Sequence, residues 1–408
     1  PMTCQVALQF RGAINKRHWE AAYRIAIGRH PLLSSVVSNG YWEHSPNGVP
    51  LIWLDSNHEI AERDGGYLNI AHAPGLRGWT STTDDEAYLT LQFHHACCDG
   101  VGFLQFVGDW FAAYHFLCAG KPMDLCPLNP RDLKGRGLLR RKRVSRASAL
   151  ATFSSESWKF NARRAKPIDC CSPREQKSSP SLLHSTLSRE STFKLRRFAA
   201  NANANLNDLL LTCLFSALAD WNGEDASSSR WLRINMPTNL RGSSDRTLPA
   251  ANVVGYAFLS RRGRDCLEQG KMLTSIAEET ASIRRLNRGQ AILDGLNLVR
   301  GIPAARWWYT SPRICRATTV LSNVGDLTRW FHKSVPRIDG SVKAGGLTLQ
   351  GMQASPPLRP LTRAVFLASK YRGELTISMR ADERVFGEEE SENLLSCYME
   401  CLVQCMAE

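Results

Sequence analysis

A histidine pair followed by an aspartate and a glycine is the group of residues in this chain best suited to proton transfer. His94, His95, Asp99 and Gly100 lie in the run HHACCDG, directly after a segment, 87–93, in which apolar and polar residues alternate. The alternation predicts a strand, and if it continues, His95 lies on the covered face. Partial burial favours the uncharged imidazole, which can accept a proton near neutral pH. The spacing therefore predicts a general base at His95.

The segment after the motif must hold the pair in place. Asp99 and Gly100 form a turn, and the apolar residues from Val101 to Cys118 recur at helical spacing. The same segment contains Gln105, Asp109 and His115, so we predict a buried amphipathic helix rather than a membrane span.

The spacing H-H-x-x-x-D-G, on a strand that leads into a helix, resembles the signature of the chloramphenicol acetyltransferase-like superfamily. This superfamily includes nonribosomal peptide synthetase condensation domains, wax ester synthase/diacylglycerol acyltransferases, alcohol acetyltransferases, polyketide-associated acyltransferases and the plant BAHD enzymes. The D-F-G-W-G element of BAHD enzymes is absent here. Five looser segments resemble superfamily elements in the expected order: RHPLL at 29–33, NLNDLL at 205–210, PTNLR at 237–241, NVVG at 252–255 and SNVG at 322–325.

The resemblance implies an α/β fold with mixed α+β sheets, in which two chloramphenicol acetyltransferase-like halves form a pseudo-dimer with a channel between them. We expect residues 1–175 to form the N-terminal half with HHACCDG. Residues 176–408 then form the C-terminal half with NLNDLL, PTNLR and SNVG. The segment 375–382 resembles the strand before the histidine pair but has no histidine, which is compatible with an old duplication.

The resemblance also implies roles for single residues. Asp99 would pair with Arg241 from the other half and shape the site together with Gly100, while His94 orients the loop. Ser322 or Asn323 would stabilise an oxyanion, or would simply close a strand end. His30 precedes a proline in a rigid turn, and we expect it to be structural.

The function implied is acyl transfer from a thioester donor to a hydroxyl or amine acceptor, with His95 as the general base. The motif residues His94 and Asp99 complete the catalytic group. The resemblance implies no metal and no permanently bound cofactor, since the co-substrate is acyl-CoA or a phosphopantetheine thioester. Two alternatives stay open: a condensation-type enzyme that forms amide bonds from a carrier-bound donor, and an inactive binding protein of the same fold.

The charge of the chain predicts anionic partners. Lysine and arginine exceed aspartate and glutamate by 51 − 38 = 13 in 408 residues. The most basic window is 131–146, which contains Arg140, Arg141, Lys142 and Arg143. It is either a solvated linker or a contact for an acidic acyl carrier protein or anionic lipid. Nucleic acid is disfavoured because no binding motif accompanies the charge.

Thirteen cysteines without a C-x-x-C pair indicate a reducing compartment. With no visible signal peptide, we expect a cytoplasmic monomer, either free in solution or peripheral at a membrane surface. Cys397, Cys401 and Cys405 recur every four residues, and we predict that they pack into the core along the final helix.

Other segments carry local signals for further elements. Strands are predicted at 4–10, 231–236 and 317–325, and helices at 16–28, 209–221 and about 265–286. Asn207 and Asp208 are the candidates for the N-cap of the helix at 209–221. The segment 166–185 is rich in Pro, Ser and Lys, and we expect it to cross between the halves.

Overall fold

Strands and helices alternate irregularly along the chain and assemble into two large mixed sheets. The structure is a computed structural model that describes residues 2–45, 48–55, 67–135, 145–170, 182–299, 301–303, 307, 311, 313–359 and 361–406. Its strands are β1 (Thr3–Arg11), β2 (Ser35–Ser38), β3 (Tyr41–His44), β4 (Leu51–Trp53), β5 (Leu76–Thr82), β6 (Glu86–His94), β7 (Leu182–Leu187), β8 (Trp231–Asn239), β9 (Val254–Arg262), β10 (Thr319–Asp326), β11 (Arg337–Ile338), β12 (Ser341–Ala344), β13 (Leu347–Ser355), β14 (Ala364–Tyr371) and β15 (Glu374–Ala381).

The helices are interspersed with these strands along the chain. They are α1 (Lys16–Arg29), α2 (Gly100–Ala119), α3 (Arg146–Ala162), α4 (Arg189–Asn201), α5 (Leu206–Trp221), α6 (Gln269–Arg285), α7 (Arg288–Val299) and α8 (Glu388–Gln404). The predicted helices at 16–28 and 101–118 are therefore present, as are the predicted strands at 4–10 and 231–236. The prediction at 265–286 is corrected, because a short 3₁₀ helix at Gly263–Leu267 precedes α6.

The first large sheet has the strand order β11-β12-β13-β1-β6-β5-β4, and β4 runs parallel to β5. The second has the order β7-β15-β14-β10-β8-β9, with β10 parallel to both of its neighbours. Both sheets are mixed, which confirms the predicted α/β fold class. Strands from 337–355 complete the first sheet. The division at residue 175 stays a prediction, and the topology adds that the C-terminal half contributes strands to the N-terminal sheet.

Each sheet has its own core. The predicted inward face of β6, with Leu89, Leu91 and Phe93, packs into the first core with α2. Thr90 and Gln92 on the other face are buried too, because β6 lies in the interior of the sheet and both of its faces are covered. The strand before the motif is therefore buried on both faces.

Helix α2 is fixed against α1 by aromatic and ionic contacts. The rings of Trp19 and Trp110 lie 4.5 Å apart between their centroids. Arg29 Nε donates to Asp109 Oδ2 at 2.6 Å, so the acidic residue within α2 is paired. In the part of the chain that the structure describes, no helix has the length and hydropathy needed to cross a bilayer.

The predicted N-cap of α5 is wrong. The helix begins one turn earlier than the periodicity predicts, and its cap is Asn205, whose Oδ1 accepts from the backbone N–H groups of Asn207 and Asp208 at 2.9 and 3.2 Å. Asp208 Oδ2 in turn accepts from the Asn205 N–H at 3.1 Å. This reciprocal capping box satisfies three backbone donors, which a cap at Asn207 or Asp208 could not do.

The cysteine stripe of α8 packs as predicted. Cys401 and Cys405 belong to the second core, and Cys397 lies partly buried against it. Cys405 Sγ lies 3.6 Å from Cys213 Sγ of α5, and both are free thiols. The three residues serve helix packing, which agrees with the prediction.

Candidate active site

His95 lies in the turn between β6 and α2, one residue after the strand ends. Its backbone N–H donates to the Met2 carbonyl at 2.8 Å. Asn252 Nδ2 donates to the His95 carbonyl at 2.9 Å and lies 3.3 Å from ring atom Nδ1. Asn252 therefore holds one side of the residue, while Nε2 forms no hydrogen bond within the described residues.

Burial is the main influence on the protonation of His95. It lowers the pKa of the imidazole below its ordinary value of 6.5. The charge of Asp99 and a hydrogen bond to the backbone of His95 itself raise the pKa by smaller amounts. The ring is therefore uncharged at neutral pH, as a proton acceptor must be.

Asp99 caps α2 and has no oxygen left for chemistry. Oδ1 accepts from the Gly102 N–H at 2.8 Å. Oδ2 accepts from Arg241 Nη1 at 2.8 Å and from the Val253 N–H at 2.6 Å. The carboxylate is 1% exposed. The predicted contact between Asp99 and Arg241 is thus present, and it joins the motif to a segment more than 140 residues further along the chain.

Arg241 also holds the segment 250–253 against the start of α2. Its Nη2 donates to the Ala251 carbonyl at 2.7 Å, and the same carbonyl accepts from the Asp99 N–H at 3.3 Å. A Cβ at Gly102 would lie 2.9 Å from both the nitrogen and the oxygen of Ala251, so only glycine allows this approach. A Cβ at Gly100 would meet Val324 Cγ1 at 3.2 Å, across the boundary between the sheets.

The two histidines of the motif have different environments. His94 is half-buried, and burial lowers its pKa. Its Nδ1 accepts from the Ala96 N–H at 3.2 Å, which braces the turn. His95 lines an internal cavity and His94 does not. These positions agree with a positioning role for His94.

The cavity lies between the two sheets and is largely apolar. Its volume is about 60 Å³. The first sheet and α2 supply Cys4, Val6, Phe93, His95, Gly100, Phe103, Leu104, Met352, Ala354 and Ser355, with Pro356 just after β13. The second sheet supplies Ser322, Val324 and Leu367. An imidazole from one half and a hydroxyl from the other therefore meet in one apolar space.

Of the two oxyanion candidates, only Ser322 lines the cavity. Asn323 is exposed on the opposite face of β10, where its Nδ2 donates to Asn207 Oδ1 at 3.1 Å. Its Oδ1 accepts from the Gly325 N–H at 2.9 Å. Asn323 therefore closes the strand end, which was the alternative interpretation of this segment.

His30 is fully buried beneath the site. Its Nδ1 accepts from the Ala250 N–H at 2.9 Å, and its Nε2 lies 3.3 Å from Asp109 Oδ2. Burial lowers its pKa, although the neighbouring Asp109 raises it. His30 supports the segment 250–253 from behind and does not line the cavity, in agreement with the structural role expected for it.

The sequence did not reveal the contact between Asn252 and His95. Its position was visible only as the first residue of the N-x-x-G segment. No local signal connects it with His95, which lies 157 residues earlier. The sequence also did not reveal why residue 102 must be glycine. The reason is the close approach of the distant Ala251, which leaves no room for a Cβ at Gly102.

The structure does not test the predictions about metals and anionic partners. Among the described residues, no group of three or more His, Cys, Asp or Glu side chains is arranged to hold a metal ion. The basic residues Arg140, Arg141, Lys142 and Arg143 lie outside the described residues.

Comparison with known proteins gives three kinds of match. The family model of the condensation domain matches residues 67–247. The uncharacterised protein Rv2305 of Mycobacterium tuberculosis (strain H37Rv) is 24% identical over 324 residues, which cover 74% of this chain and 72% of that protein.

Solved structures share the fold over the whole chain. The trichothecene 15-O-acetyltransferase TRI3 from Fusarium sporotrichioides superposes with a TM-score of 0.74 at 13% identity and covers 99% of this chain and 91% of its own. The first condensation domain of the CDA synthetase gives a TM-score of 0.70 at 14% identity, with 100% and 91% covered. The predicted two-lobed fold is therefore confirmed.

Proposed function

We propose that this chain, which has the two-lobed chloramphenicol acetyltransferase-like fold, is an acyltransferase that moves an acyl group from a thioester to a hydroxyl or amine. The observation that carries the proposal is the shared cavity of His95 and Ser322, which come from opposite lobes. An uncharged imidazole and a hydroxyl donor in an apolar space are the groups that acyl transfer needs.

The reaction proceeds in two steps on this arrangement. The acceptor oxygen or nitrogen attacks the thioester carbon, and its proton passes to Nε2 of His95, which has no other hydrogen bond among the described residues. The Ser322 hydroxyl donates to the oxyanion that forms. The C–S bond then breaks, and His95 returns the proton to the departing thiolate. Asp99 and Arg241 hold the turn and take no part in the proton transfer.

The donor is a thioester of coenzyme A or of a phosphopantetheine arm, used as a co-substrate and not bound permanently. The starter condensation domain of rhizomide synthetase, which has the same fold with a TM-score of 0.68 at 14% identity, has been solved with C8-CoA and Leu-SNAC. We extend that donor chemistry to this chain as part of the proposal.

Thiol release tests the function directly. The purified chain is incubated with acyl-CoA thioesters of several chain lengths and with alcohol and amine acceptors, and free thiol is measured. We expect acceptor-dependent release that falls by about two to four orders of magnitude in His95→Ala. The exposed His72 provides the matched control, and His72→Ala should keep full activity. Equal rates in both variants would refute a general base at His95.

A condensation-type enzyme is the second candidate, and the family match at 67–247 favours it. It would take its donor from a carrier protein and form an amide. In the same assay, release that occurs only with amine acceptors and a carrier-bound thioester would support this candidate. A folded chain that binds the thioesters without releasing thiol would instead be a binding protein of this fold.

The basic window is proposed as a contact for an acidic carrier protein or an anionic lipid surface. Replacement of Arg140, Arg141, Lys142 and Arg143 by glutamine should weaken binding to anionic liposomes or to the carrier, and the loss should be largest at low salt. Unchanged binding across the salt series would make the window a solvated linker. That the protein is a cytoplasmic monomer also remains a proposal.

A further inference from the structure

Arg380 is a buried arginine that has no partner for its charge among the described residues. It lies on β15 and is 7% exposed, and its Nε has no hydrogen-bond partner. In the described part of the chain, no carboxylate or carbonyl accepts from its guanidinium. Arg233, which is 1% exposed, shows the usual arrangement, with hydrogen bonds to Ser260 and to the carbonyls of Lys159, Arg163 and Arg316. A buried charge without such partners is strongly unfavourable, so Arg380 requires an explanation.

Ser378 is a second unpaired polar group on the same face of β15. It is 0% exposed, and its Oγ has no hydrogen-bond partner. Residues two apart on a strand point to the same side of the sheet. A buried hydroxyl and the buried Nε of a guanidinium, both without a hydrogen-bond partner among the described residues, therefore lie next to each other.

The strand register places both residues beside the candidate active site. Ser378 pairs across the sheet with Leu367, and Leu367 pairs with Ser322. Both Leu367 and Ser322 line the cavity that contains His95. Two strand spacings of about 4.8 Å separate Ser378 from Ser322, so the distance between them along the sheet is about 10 Å. Arg380 lies one step further along the same face, opposite Val365.

The charge of Arg380 influences the pKa of a residue that lines the cavity. Burial raises the pKa of the Cys4 thiol, and the positive charge of Arg380 lowers it by a smaller amount. Cys4 lines the cavity at the end formed by Ser355 and Pro356, since Gln5 pairs with Ser355 in the register between β1 and β13. The guanidinium therefore lies near this end.

The number of charges favours one chemical class of ligand. One guanidinium can bind both oxygens of a carboxylate in a planar, two-pronged contact, and a serine hydroxyl can add a third hydrogen bond. A phosphate dianion would keep a negative charge without a partner in this buried place. A carboxylate leaves no net charge.

We propose that Arg380 and Ser378 form a subsite for a carboxylate carried by the acyl donor or the acceptor, about 10 Å along the sheet from the reacting centre. The proposal deepens the acyltransferase function and rests on it for the catalytic consequence, but the binding of the carboxylate does not depend on turnover.

Binding and stability test the subsite without any reaction. Adipate and its neutral analogue adipamide are titrated calorimetrically into the wild-type protein and into Arg380→Gln, Ser378→Ala and the control Arg197→Gln, which replaces an exposed arginine of α4. We expect adipate to bind the wild type and the control at least tenfold more tightly than it binds Arg380→Gln. The affinity for adipamide should be the same in all three proteins. Ser378→Ala should weaken adipate binding by a smaller factor.

The melting temperature separates a binding arginine from a structural one. Without ligand, Arg380→Gln should melt at the same temperature as the wild type or above it, because the substitution removes a buried charge that has no partner. A lower melting temperature together with unchanged adipate affinity would overturn the proposal.

Turnover shows which substrate carries the carboxylate. Adipoyl-CoA is compared with hexanoyl-CoA as donor, and 6-hydroxyhexanoate with 1-hexanol as acceptor. In one of these pairs the wild type should prefer the carboxylate member, and Arg380→Gln should lose about 10- to 100-fold in kcat/KM for that member only. Equal loss for both members of each pair would overturn the assignment. If no thioester is turned over, the acyltransferase function fails, while the titration still decides the carboxylate subsite.

Discussion

Two strand–turn–helix units, β6–α2 and β15–α8, have the same local arrangement, but the aspartates in their turns bind different partners. In each, an interior strand leads through a turn with an aspartate into a helix. Asp99 in the first turn is buried and binds Arg241, 142 residues away. Asp382 in the second is partly exposed and binds Arg384, two residues away. The first aspartate connects distant parts of the fold, whereas the second only closes its own turn.

The difference explains why the imidazole at the cavity comes from the first half. Because Asp99 anchors the turn from below, the turn residue His95 is fixed with its ring at the cavity. The turn after β15 has no histidine, and the second sheet contributes Ser322 and Leu367 from β10 and β14. One half supplies an anchored imidazole, and the other supplies a wall with a hydroxyl.

The largest expected effect comes from removing the two aspartates in parallel. Asp99→Ala leaves the largely buried Arg241 without its charge partner and the N–H groups of Gly102 and Val253 without their acceptor, so the free energy of unfolding should fall by about 3–5 kcal/mol. Asp382→Ala breaks a partly exposed local pair and should lower it by at most about 1 kcal/mol. Denaturant titration measures both. A stable Asp99→Ala protein that has lost only turnover would give Asp99 a chemical role instead.

Ser322 and Asn323 are neighbours on opposite faces of β10 and provide a matched pair. Ser322→Ala removes the hydroxyl from the cavity and should lower kcat by about two to three orders of magnitude if that hydroxyl stabilises the oxyanion. Asn323→Ala should leave kcat within a factor of about two, since Asn323 faces away from the cavity. Steady-state thiol release measures both variants. Full activity in Ser322→Ala would exclude this serine from the mechanism.

Asn252 tests whether the base must be held by a residue from the other half. Loss of its hydrogen bond to the His95 carbonyl in Asn252→Ala should lower kcat about tenfold, which corresponds to about 1.4 kcal/mol, with little change in KM. Asn252→Asp should instead raise the pKa of His95, because a carboxylate then lies beside the ring, and should move the acid limb of the pH–rate profile to higher pH.

The control for this position is Asn161→Ala, on the exposed side of α3, which should change neither kcat nor the profile. If Asn252→Asp left the acid limb where it is in the wild type, the contact with the ring would have no influence on proton transfer.

Acidification should have the smallest effect. It should lower the stability of the protein through histidines of the N-terminal half. Burial lowers the pKa of His30, His94 and His95 below 6.5 in the folded protein. The unfolded chain therefore binds more protons below that pH, so their contribution to stability is complete above about pH 6.5 and is lost as the pH falls through the lowered values. The melting temperature should drop by several degrees between about pH 7.5 and about pH 5.5.

The variant that sharpens this prediction replaces both motif histidines by glutamine. It should retain the part of the pH dependence that comes from His30 and lose the rest, as differential scanning calorimetry would show. An unchanged slope would mean that other groups control the acid sensitivity.

Local patterns were enough for the elements that carry the motif. The alternation up to Phe93 and the helical spacing after Gly100 predicted β6 and α2, and the identity of Asp99 suited the cap that it forms. The pattern was less informative for α5, where Asn205 reaches forward to cap a helix that begins at Leu206. Capping competes among neighbouring Asn and Asp residues, and only the backbone geometry selects one of them.

The sequence by itself determined the strand–turn–helix around His95 and, through the motif, the fold to which it belongs. Those features depend on residues within a few positions of one another, where periods of two and about 3.6 residues are visible along the chain. The tertiary structure alone decided that Ser322 and not Asn323 lines the cavity with His95, that Asn252 binds the His95 carbonyl, and that Arg380 is buried opposite Val365 in the second sheet. Each of these depends on strand register between distant segments, and a shift of one residue would turn every side chain to the other face.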